Sequence, residues 1–166
     1  MNVQKVVIKY PVSGDVDLGK IGAEFTKWIQ NDAIPGTLID VADYSHMYQG
    51  LGVILVAHEY IISLDRQDGI DGLKVVYRLD SEDSLADRVK AGDELVKKVF
   101  ALLKEAGLNL ELSETEVHVG VADRLSTSDD IHDQLFFAAK VSISAASECI
   151  EKSGEKELPG IKVKLG

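Results

Sequence analysis

Hydrophobic residues dominate the chain between Val53 and Leu64, where His58 and Glu59 are the only His, Asp, Glu, Lys or Arg residues. A run this rich in valine and isoleucine predicts a β-strand that is covered on both faces. The turn sequence Arg66–Gly72 follows it and leads to a second apolar run at Leu73–Leu79, which indicates an antiparallel hairpin. The pattern therefore predicts the centre of a β-sheet, with His58 buried in it.

Three stretches have apolar residues at steps of three and four positions, the spacing typical of an amphipathic helix. The predicted helices run from Asp17 to about Asn31, from Leu85 to Ala106 and from about Asp129 to Lys152. Asp17 is a good N-cap for the first helix, and Ser81 or Ser84 is the expected cap of the second. On the second helix, Asp93 precedes Lys97 by four residues, which indicates a solvated outer face.

Further strands are predicted on either side of these elements. They cover Val3–Tyr10, which Pro11 ends, Thr37–Ala42, Val117–Val121 and Gly160–Leu165, the last as an edge strand. The order β-α-β-β-β-α-β-α-β predicts a single α+β domain over residues 1–166, with a mixed β-sheet of five to six strands and helices packed on it. The pattern argues against a purely parallel sheet, because the central strands are joined by a turn too short for a crossover.

Composition and charge narrow the classes of partner. The chain has 166 residues, of which 45% are hydrophobic and 28% are charged, as in a folded globular domain. Its net charge of -10 argues against nucleic acid or an anionic membrane as the main partner, since both attract basic surfaces. Cys149 is the only cysteine, so an intramolecular disulfide is impossible. We find neither a signal peptide nor an apolar run of transmembrane length, and we expect a cytoplasmic protein.

Ionisable residues gather where the chain enters the predicted central strand. They are Asp40, Asp43, Tyr44 and His46 before it, and His58 and Glu59 within it. The segment Asp43–Gly52 has no periodicity, so we expect a loop that lies over a pocket. A buried histidine needs a polar partner, because burial without one is unfavourable. We therefore predict a small-ligand site here, with Asp40 or Asp43 on the same face of the sheet as His58.

Two functions are compatible with this cluster. In one, the residues hold a small ligand or a partner without chemistry. In the other, His58 is the general base of a hydrolase or lyase, and a carboxylate orients it or binds a metal ion. The candidate carboxylates are Asp40, Asp43 and Glu59. The two aspartates also have a structural interpretation, because aspartate is common in turns and caps near strand ends.

Two arginines on or just after predicted strands are further candidates for ligand binding. Arg78 lies on the second strand of the hairpin, and Arg124 follows the strand Val117–Val121. The end of a strand that leads into a helix is a favoured position for ligands. Either arginine can bind a carboxylate or phosphate group, or simply neutralise a nearby acid such as Asp40.

Residues Gly14–Lys20 match the spacing of a phosphate-binding loop, in which backbone N–H groups and a lysine surround the phosphates. Ile21 stands where that loop needs a serine or threonine for Mg²⁺. Asp15 and Asp17 also place negative charge where a phosphate would lie. The sequence therefore favours a turn followed by a helix N-cap.

The third predicted helix is the candidate for self-association. Between Ile131 and Ile150, Asp133, Lys140 and Glu148 are its only charged residues. A helix this apolar is covered on more than one side, either by this chain or by a second copy. We therefore expect an acidic homo-oligomer that binds a small ligand or a partner, with the hydrolase or lyase as the alternative.

Overall fold

A computed structural model describes residues 5–47, 50–78, 84–122, 130–154 and 158–166 of the chain. The strands within these ranges are β1 (Val6–Gly14), β2 (Leu38–Tyr44), β3 (Gly52–Ala57), β4 (Tyr60–Asp65), β5 (Gly72–Tyr77), β6 (Leu110–Leu112), β7 (Glu116–Val121), β8 (Ala146–Lys152) and β9 (Gly160–Leu165). The α-helices are α1 (Leu18–Asn31), α2 (Leu85–Glu105) and α3 (Ile131–Ser142). Among the described residues, no helix is long and apolar enough to cross a membrane.

The nine strands form one antiparallel sheet. Eight of them follow the order β2-β3-β4-β5-β1-β7-β9-β8, and β6 pairs with the last residues of β1. Strand β1 is therefore central, and β2 and β8 are the two edges. The predicted α+β class is confirmed. The prediction of a mixed sheet with five to six strands is wrong, because all the pairings are antiparallel and three strands are additional. One of them arises because the central apolar run is divided into β3 and β4, and the other two are β6 and β8.

The three helices pack on one face of the sheet. Alternate residues of β1 and β7 are buried on that face, namely Val6, Ile8, Tyr10, Val117, Val119 and Val121. Helix α2 lies close to β1, since a Cβ atom on Gly92 would lie 2.9 Å from Ile8 Cγ1. Helix α1 contacts β2 and β3, whereas α3 contacts β7, β8 and β9. We call the opposite side of the sheet the helix-free face, because no helix of the described residues covers it.

Two predicted helices are confirmed, and their caps are as expected. Asp17 caps α1 by accepting the Lys20 N–H (3.1 Å), and Ser84 caps α2 by accepting the Asp87 N–H (3.1 Å). The buried residues of α1 are Leu18, Ile21, Phe25 and Trp28. Residues Gly14–Lys20 thus comprise a strand end, a turn and the first turn of a capped helix.

The central apolar run is two strands instead of one. Strands β3 and β4 are joined by His58 and Glu59, which form a tight turn. The predicted burial of His58 is wrong, since this residue is exposed. The predicted hairpin across Arg66–Gly72 is confirmed, and Asp65 lies opposite Gly72 in its antiparallel register.

The third helix ends earlier than predicted. Helix α3 stops at Ser142, and residues Ala146–Lys152 form the edge strand β8. The register between β8 and β9 shifts twice, which interrupts the alternation by which a strand is recognised in a sequence. The predicted self-association helix Ile131–Ile150 therefore exists only in its first part. There, Phe137 and Val141 are 69% and 62% exposed.

Three smaller differences concern strand ends. Strand β1 continues through Pro11 to Gly14, because its last residues change partner from β5 to β6. The short strand Leu110–Leu112 was not predicted. Strand β9 lies between β7 and β8, so it is not the edge strand that its weak alternation predicted.

Candidate functional site

The two aspartates predicted at the site lie on the edge strand β2. Asp40 accepts the N–H of Val41 (2.8 Å), and Asp43 accepts the N–H of Ser45 (2.8 Å). The hydrogen bonds from Ser45 lower the pKa of Asp43. Both aspartates are exposed. The contacts therefore agree with the structural interpretation of these aspartates, in which each carboxylate accepts a nearby backbone N–H group at a strand edge or a turn.

Glu59 and Arg78 meet at the far end of β3. The Arg78 N–H donates to the Glu59 carbonyl oxygen (2.8 Å), and the His58 N–H donates to the Thr37 carbonyl oxygen (2.8 Å). The Glu59 carboxylate accepts the Thr37 N–H (2.8 Å), and this bond is the main reason that the pKa of Glu59 is lowered. The backbone of the turn is thus held on both sides, while the His58 ring faces solvent.

The structure does not gather the predicted site residues into one pocket. Strand β3 has six residues and spans about 20 Å, so His58 at one end is remote from Asp43 at the other. Among the described residues, no hydrogen bond or ion pair joins the His58 ring to Asp40 or Asp43. Tyr44 and His46 lie beside Asp43 and are exposed. Arg124 lies outside the described residues.

A pocket of about 330 Å³ opens elsewhere, where α2 and β6 meet the ends of α3 and β9. Its apolar side is formed by Phe100, Leu112, Ile143, Ala145 and Leu165. Its polar side is formed by Tyr10, Lys97, Glu111, Ser113 and Glu114. An apolar concavity with a few convergent polar groups is the usual form of a small-molecule site. We call this concavity the amphipathic pocket.

Tyr10, Asp93 and Lys97 form a hydrogen-bonded network at the amphipathic pocket. The Tyr10 hydroxyl donates to Asp93 Oδ1, and the Lys97 ammonium group donates to Asp93 Oδ2 (2.8 Å). Asp93 is only 4% exposed, and a carboxylate so buried needs partners of this kind. Burial and the hydrogen bond to Asp93 raise the pKa of Tyr10, so the phenol stays protonated and acts as a donor.

Two regular elements place this network. Tyr10 belongs to the alternating set of β1 residues that face the helices, and its hydroxyl reaches α2. Asp93 and Lys97 are four residues apart and share one side of α2. Asp93 also lies four residues after Val89 and three before Val96, both fully buried. The prediction that Asp93 belongs to a solvated face is therefore wrong, and its place on the apolar stripe is the signal that could have identified it.

A more open concavity of about 450 Å³ adjoins the amphipathic pocket. The two share one wall, formed by Glu111, Leu112, Ser113 and Glu114. Glu111 has an ion pair with Lys104 at 3.5 Å. The lining of the two concavities contains the carboxylates of Glu111 and Glu114 and one ammonium group, that of Lys97, which is paired with Asp93. Negative charge is therefore in excess in the lining.

The chain matches no protein family model, no characterised protein and no solved structure at a significant level. The class of this protein is therefore described from its own fold and candidate site. Its described residues form an α+β fold with one antiparallel sheet, three helices on one face and an amphipathic pocket at one end.

The two histidines His58 and His132 are expected to differ in their contribution to stability, because His58 lies in an exposed turn. His58→Ala is expected to change the free energy of unfolding by less than about 0.5 kcal/mol, because the ring is exposed. His132→Ala is expected to cost about 1 kcal/mol, because His132 Nε2 lies 3.0 Å from Ser153 Oγ and connects α3 to the end of β8. Urea unfolding of both variants at neutral pH measures the difference. A larger loss for His58→Ala would mean that the central run is a continuous buried strand after all.

Proposed function

We propose that the protein binds a small organic cation with an apolar body in the amphipathic pocket. The observation that carries this proposal is the lining, in which Phe100, Leu112 and Leu165 face the carboxylates of Glu111 and Glu114. The apolar body would lie against the first set, where each Å² removed from water contributes about 25 cal/mol. The positive group would lie near the carboxylates, and Phe100 offers an aromatic ring to it.

The charge of the lining favours a cation over an anion. The Lys97 ammonium group is already paired with Asp93, and Lys104 lies near Glu111. Glu114 makes no ion pair with the described residues and is exposed. An anion at this place would approach the carboxylates of Glu111 and Glu114 in a chain of net charge -10, whereas a cation would be attracted.

A binding role also agrees with the chemistry of the polar groups. The Tyr10 phenol is held protonated, and both oxygens of Asp93 already accept hydrogen bonds, so neither residue is available as a base. The Ser113 hydroxyl accepts the N–H groups of Thr115 and Glu116 at 3.3 Å. Among the described residues that line the pocket, there is no histidine to activate the Ser113 hydroxyl. The alternative function, a hydrolase or lyase with His58 as base, needs a carboxylate beside the imidazole ring. Among the described residues, no hydrogen bond or ion pair joins the His58 ring to a carboxylate.

The test compares two probes with the same ring and opposite charge, 2-phenylethylammonium and 3-phenylpropionate. The ammonium probe is expected to raise the unfolding temperature, since ligand in hundredfold excess over its Kd contributes about 2.7 kcal/mol of stability. The carboxylate probe is expected to have little effect. An equal or larger stabilisation by the carboxylate probe would contradict the assignment of a cation, and an effect of neither probe would contradict the site.

A pocket-filling variant locates the binding. Ala145 is exposed and lines the pocket, so Ala145→Phe is expected to fill the cavity and abolish stabilisation by the ammonium probe with little change in the stability of the free protein. Ser144→Phe is the matched control, because Ser144 is the exposed neighbour that does not line the pocket. Retained stabilisation in Ala145→Phe would place the probe elsewhere.

Self-association is a second proposal, and the observation that favours it is the exposed apolar side of α3. Phe137 and Val141 lie four residues apart on one side of this helix, and both are more than half exposed. Burying such a patch against a second copy would remove apolar area from water. Light scattering after size exclusion tests this proposal, with Phe137→Ser/Val141→Ser as the variant expected to be monomeric. A monomeric wild-type protein would contradict it.

A further inference from the structure

A row of polar and basic residues crosses the helix-free face. Lys74 of β5, Lys9 of β1, His118 of β7 and Lys162 of β9 are direct register partners in adjacent strands. Ser63 of β4 lies opposite Lys74 and ends the row. Neighbouring strands are about 4.8 Å apart, so the row is about 19 Å long. We call these five residues the basic row.

Two lysines of the basic row share one carboxylate. Lys9 Nζ lies 2.9 Å from Asp65 Oδ1, and Lys74 Nζ lies 2.6 Å from Asp65 Oδ2. The Asp65 side chain is 0% exposed, and the two lysine side chains are 12% and 14% exposed. The Lys9 stem crosses Gly72 to reach the carboxylate, since a Cβ atom on Gly72 would lie 2.3 Å from Lys9 Cε. This nearly enclosed cluster therefore combines two positive charges with one negative charge.

The contacts that anchor the loop between β4 and β5 explain only some of the charged groups in this cluster. Asp65 Oδ1 accepts the Gln67 N–H (2.8 Å), and Lys9 donates to the Ile70 carbonyl oxygen (3.0 Å). Lys74 contributes one further contact, to Gln67 Oε1 at 3.2 Å. Beyond these two contacts, the Lys74 ammonium group has no further acceptor among the described backbone and side-chain atoms. Lys9 alone would neutralise Asp65, so the charge of Lys74 needs another explanation.

Two polar atoms of the basic row are buried without a hydrogen-bond partner among the described residues. They are Ser63 Oγ, in a residue that is 1% exposed, and His118 Nε2. Unsatisfied buried groups lower stability unless water or a ligand binds them. Like charges directly opposite each other in a sheet lower it too. In a chain of net charge -10, such a local combination of unsatisfied buried groups and facing positive charges is typical of a functional site.

We propose that the basic row binds a small anion through its phosphate or carboxylate group. The anion lies beside Lys74, whose unused N–H and the Ser63 hydroxyl are its donors, and it supplies the negative charge that Asp65 alone does not. The site is separate from the amphipathic pocket. Lys9 and Tyr10 are consecutive residues of β1 and point to opposite faces of the sheet, so the two sites lie on different sides of it.

The pKa of His118 is expected to respond to anion binding, because His118 lies two strands from Lys74, a distance of about 10 Å. Burial lowers its pKa most, Lys162 and Lys9 lower it further, and Glu116 and Glu151 act in the opposite direction. A bound anion adds negative charge beside the row, so we expect it to raise the pKa of His118. The exposed residues His46 and His58 are internal controls in the same molecule.

The measurement is an NMR pH titration of the histidine Cε1–H signals, with His118→Gln identifying the signal of His118. Separate titrations use sodium sulfate, as an analogue of phosphate, sodium acetate, and sodium chloride at the same ionic strength. A rise in the pKa of His118 alone, in sulfate, in acetate or in both, supports the proposal and says which group binds. An equal response in all three salts, or in none, overturns it.

Two variants test the donors. Ser63→Ala removes an unsatisfied hydroxyl, so the free protein is expected to be as stable as the wild type or more so, while sulfate binds about fivefold more weakly, the equivalent of one hydrogen bond. Lys74→Gln is expected to weaken sulfate binding about tenfold or more. Ser144→Ala, an exposed serine away from the row, is the matched control. Unchanged sulfate affinity in Ser63→Ala overturns the proposal, and this variant keeps the test valid if Lys74→Gln fails to fold.

Discussion

Asp65→Ala is expected to lower the free energy of unfolding by about 3–5 kcal/mol, the cost of removing one partner from a buried ion cluster. The substitution leaves Lys9 and Lys74 facing each other with little access to water, since both side chains are nearly buried. It also removes the acceptor of the Gln67 N–H, which shapes the loop after β4. Urea unfolding at neutral pH measures the loss, and a change below about 1 kcal/mol would mean that the lysines reach water unaided.

A triple variant separates the ionic contribution from the loop contribution. Lys9→Met/Asp65→Leu/Lys74→Met replaces the charges by apolar side chains of similar size, and such replacements are often neutral or stabilising. We therefore expect it to be much more stable than Asp65→Ala. If it is equally unstable, the loss in Asp65→Ala comes from the Gln67 hydrogen bond and not from unpaired charge.

The contribution of Asp65 also has a defined dependence on pH. Burial acts to raise the pKa of Asp65, but the hydrogen bonds and charges of Lys74 and Lys9 outweigh it, and the pKa lies below its ordinary value of 3.8. A group whose pKa is lowered on folding stabilises the protein above its ordinary pKa and loses that effect as the pH falls through the folded value. The stability difference between wild type and Asp65→Ala should therefore be constant near neutral pH and shrink only below 3.8.

Gly52→Ala is expected to cost about 3 kcal/mol or more, through a clash that the backbone cannot relieve. Gly52 begins β3 with φ +67°, and a Cβ atom there would lie 1.9 Å from the Leu64 carbonyl oxygen. That oxygen belongs to the backbone of β4, the neighbouring strand, so relief requires the two strands to separate. Urea unfolding of the variant measures the loss.

Gly107 is the matched control for the Gly52 substitution. It also has a positive φ, +89°, but an added Cβ atom would meet nothing within 4 Å. Gly107→Ala is therefore expected to cost only the backbone strain, about 1 kcal/mol. The excess loss in Gly52→Ala isolates the contact between β3 and β4, and equal losses in the two variants would contradict that contact.

The helices could be predicted from the sequence where caps and periodicity agreed. Asp17 and Ser84 have the expected capping bonds, and α1 and α2 lie within a residue or two of their predicted bounds. The central run could not be divided correctly, because His58 and Glu59 are poor turn signals and the residues on both sides of them are apolar. A two-residue turn without glycine, asparagine or aspartate leaves no clear mark in a sequence.

The candidate site could not be predicted because its residues come from distant parts of the chain. Tyr10, Phe100 and Leu165 meet only after β1, α2 and β9 are placed in the sheet. The residues of the predicted cluster illustrate the opposite case, since closeness in sequence did not bring His58 and Asp43 together along β3. Sequence showed which residues were unusual, whereas the long-range pairing of strands decided which of them meet.

The edge strand β2 has a consequence for how this protein behaves in a crowded solution. An unpaired strand edge is a template on which a strand of another molecule can add, and repeated addition leads to fibres. In β2 the Asp40 carboxylate accepts the Val41 N–H. Asp43 carries a second negative charge further along the same strand, where it accepts the Ser45 N–H. At the other edge, β8 is interrupted by two register shifts. The two ends of the sheet thus resist polymerisation by different means, one by charge and one by an irregular backbone.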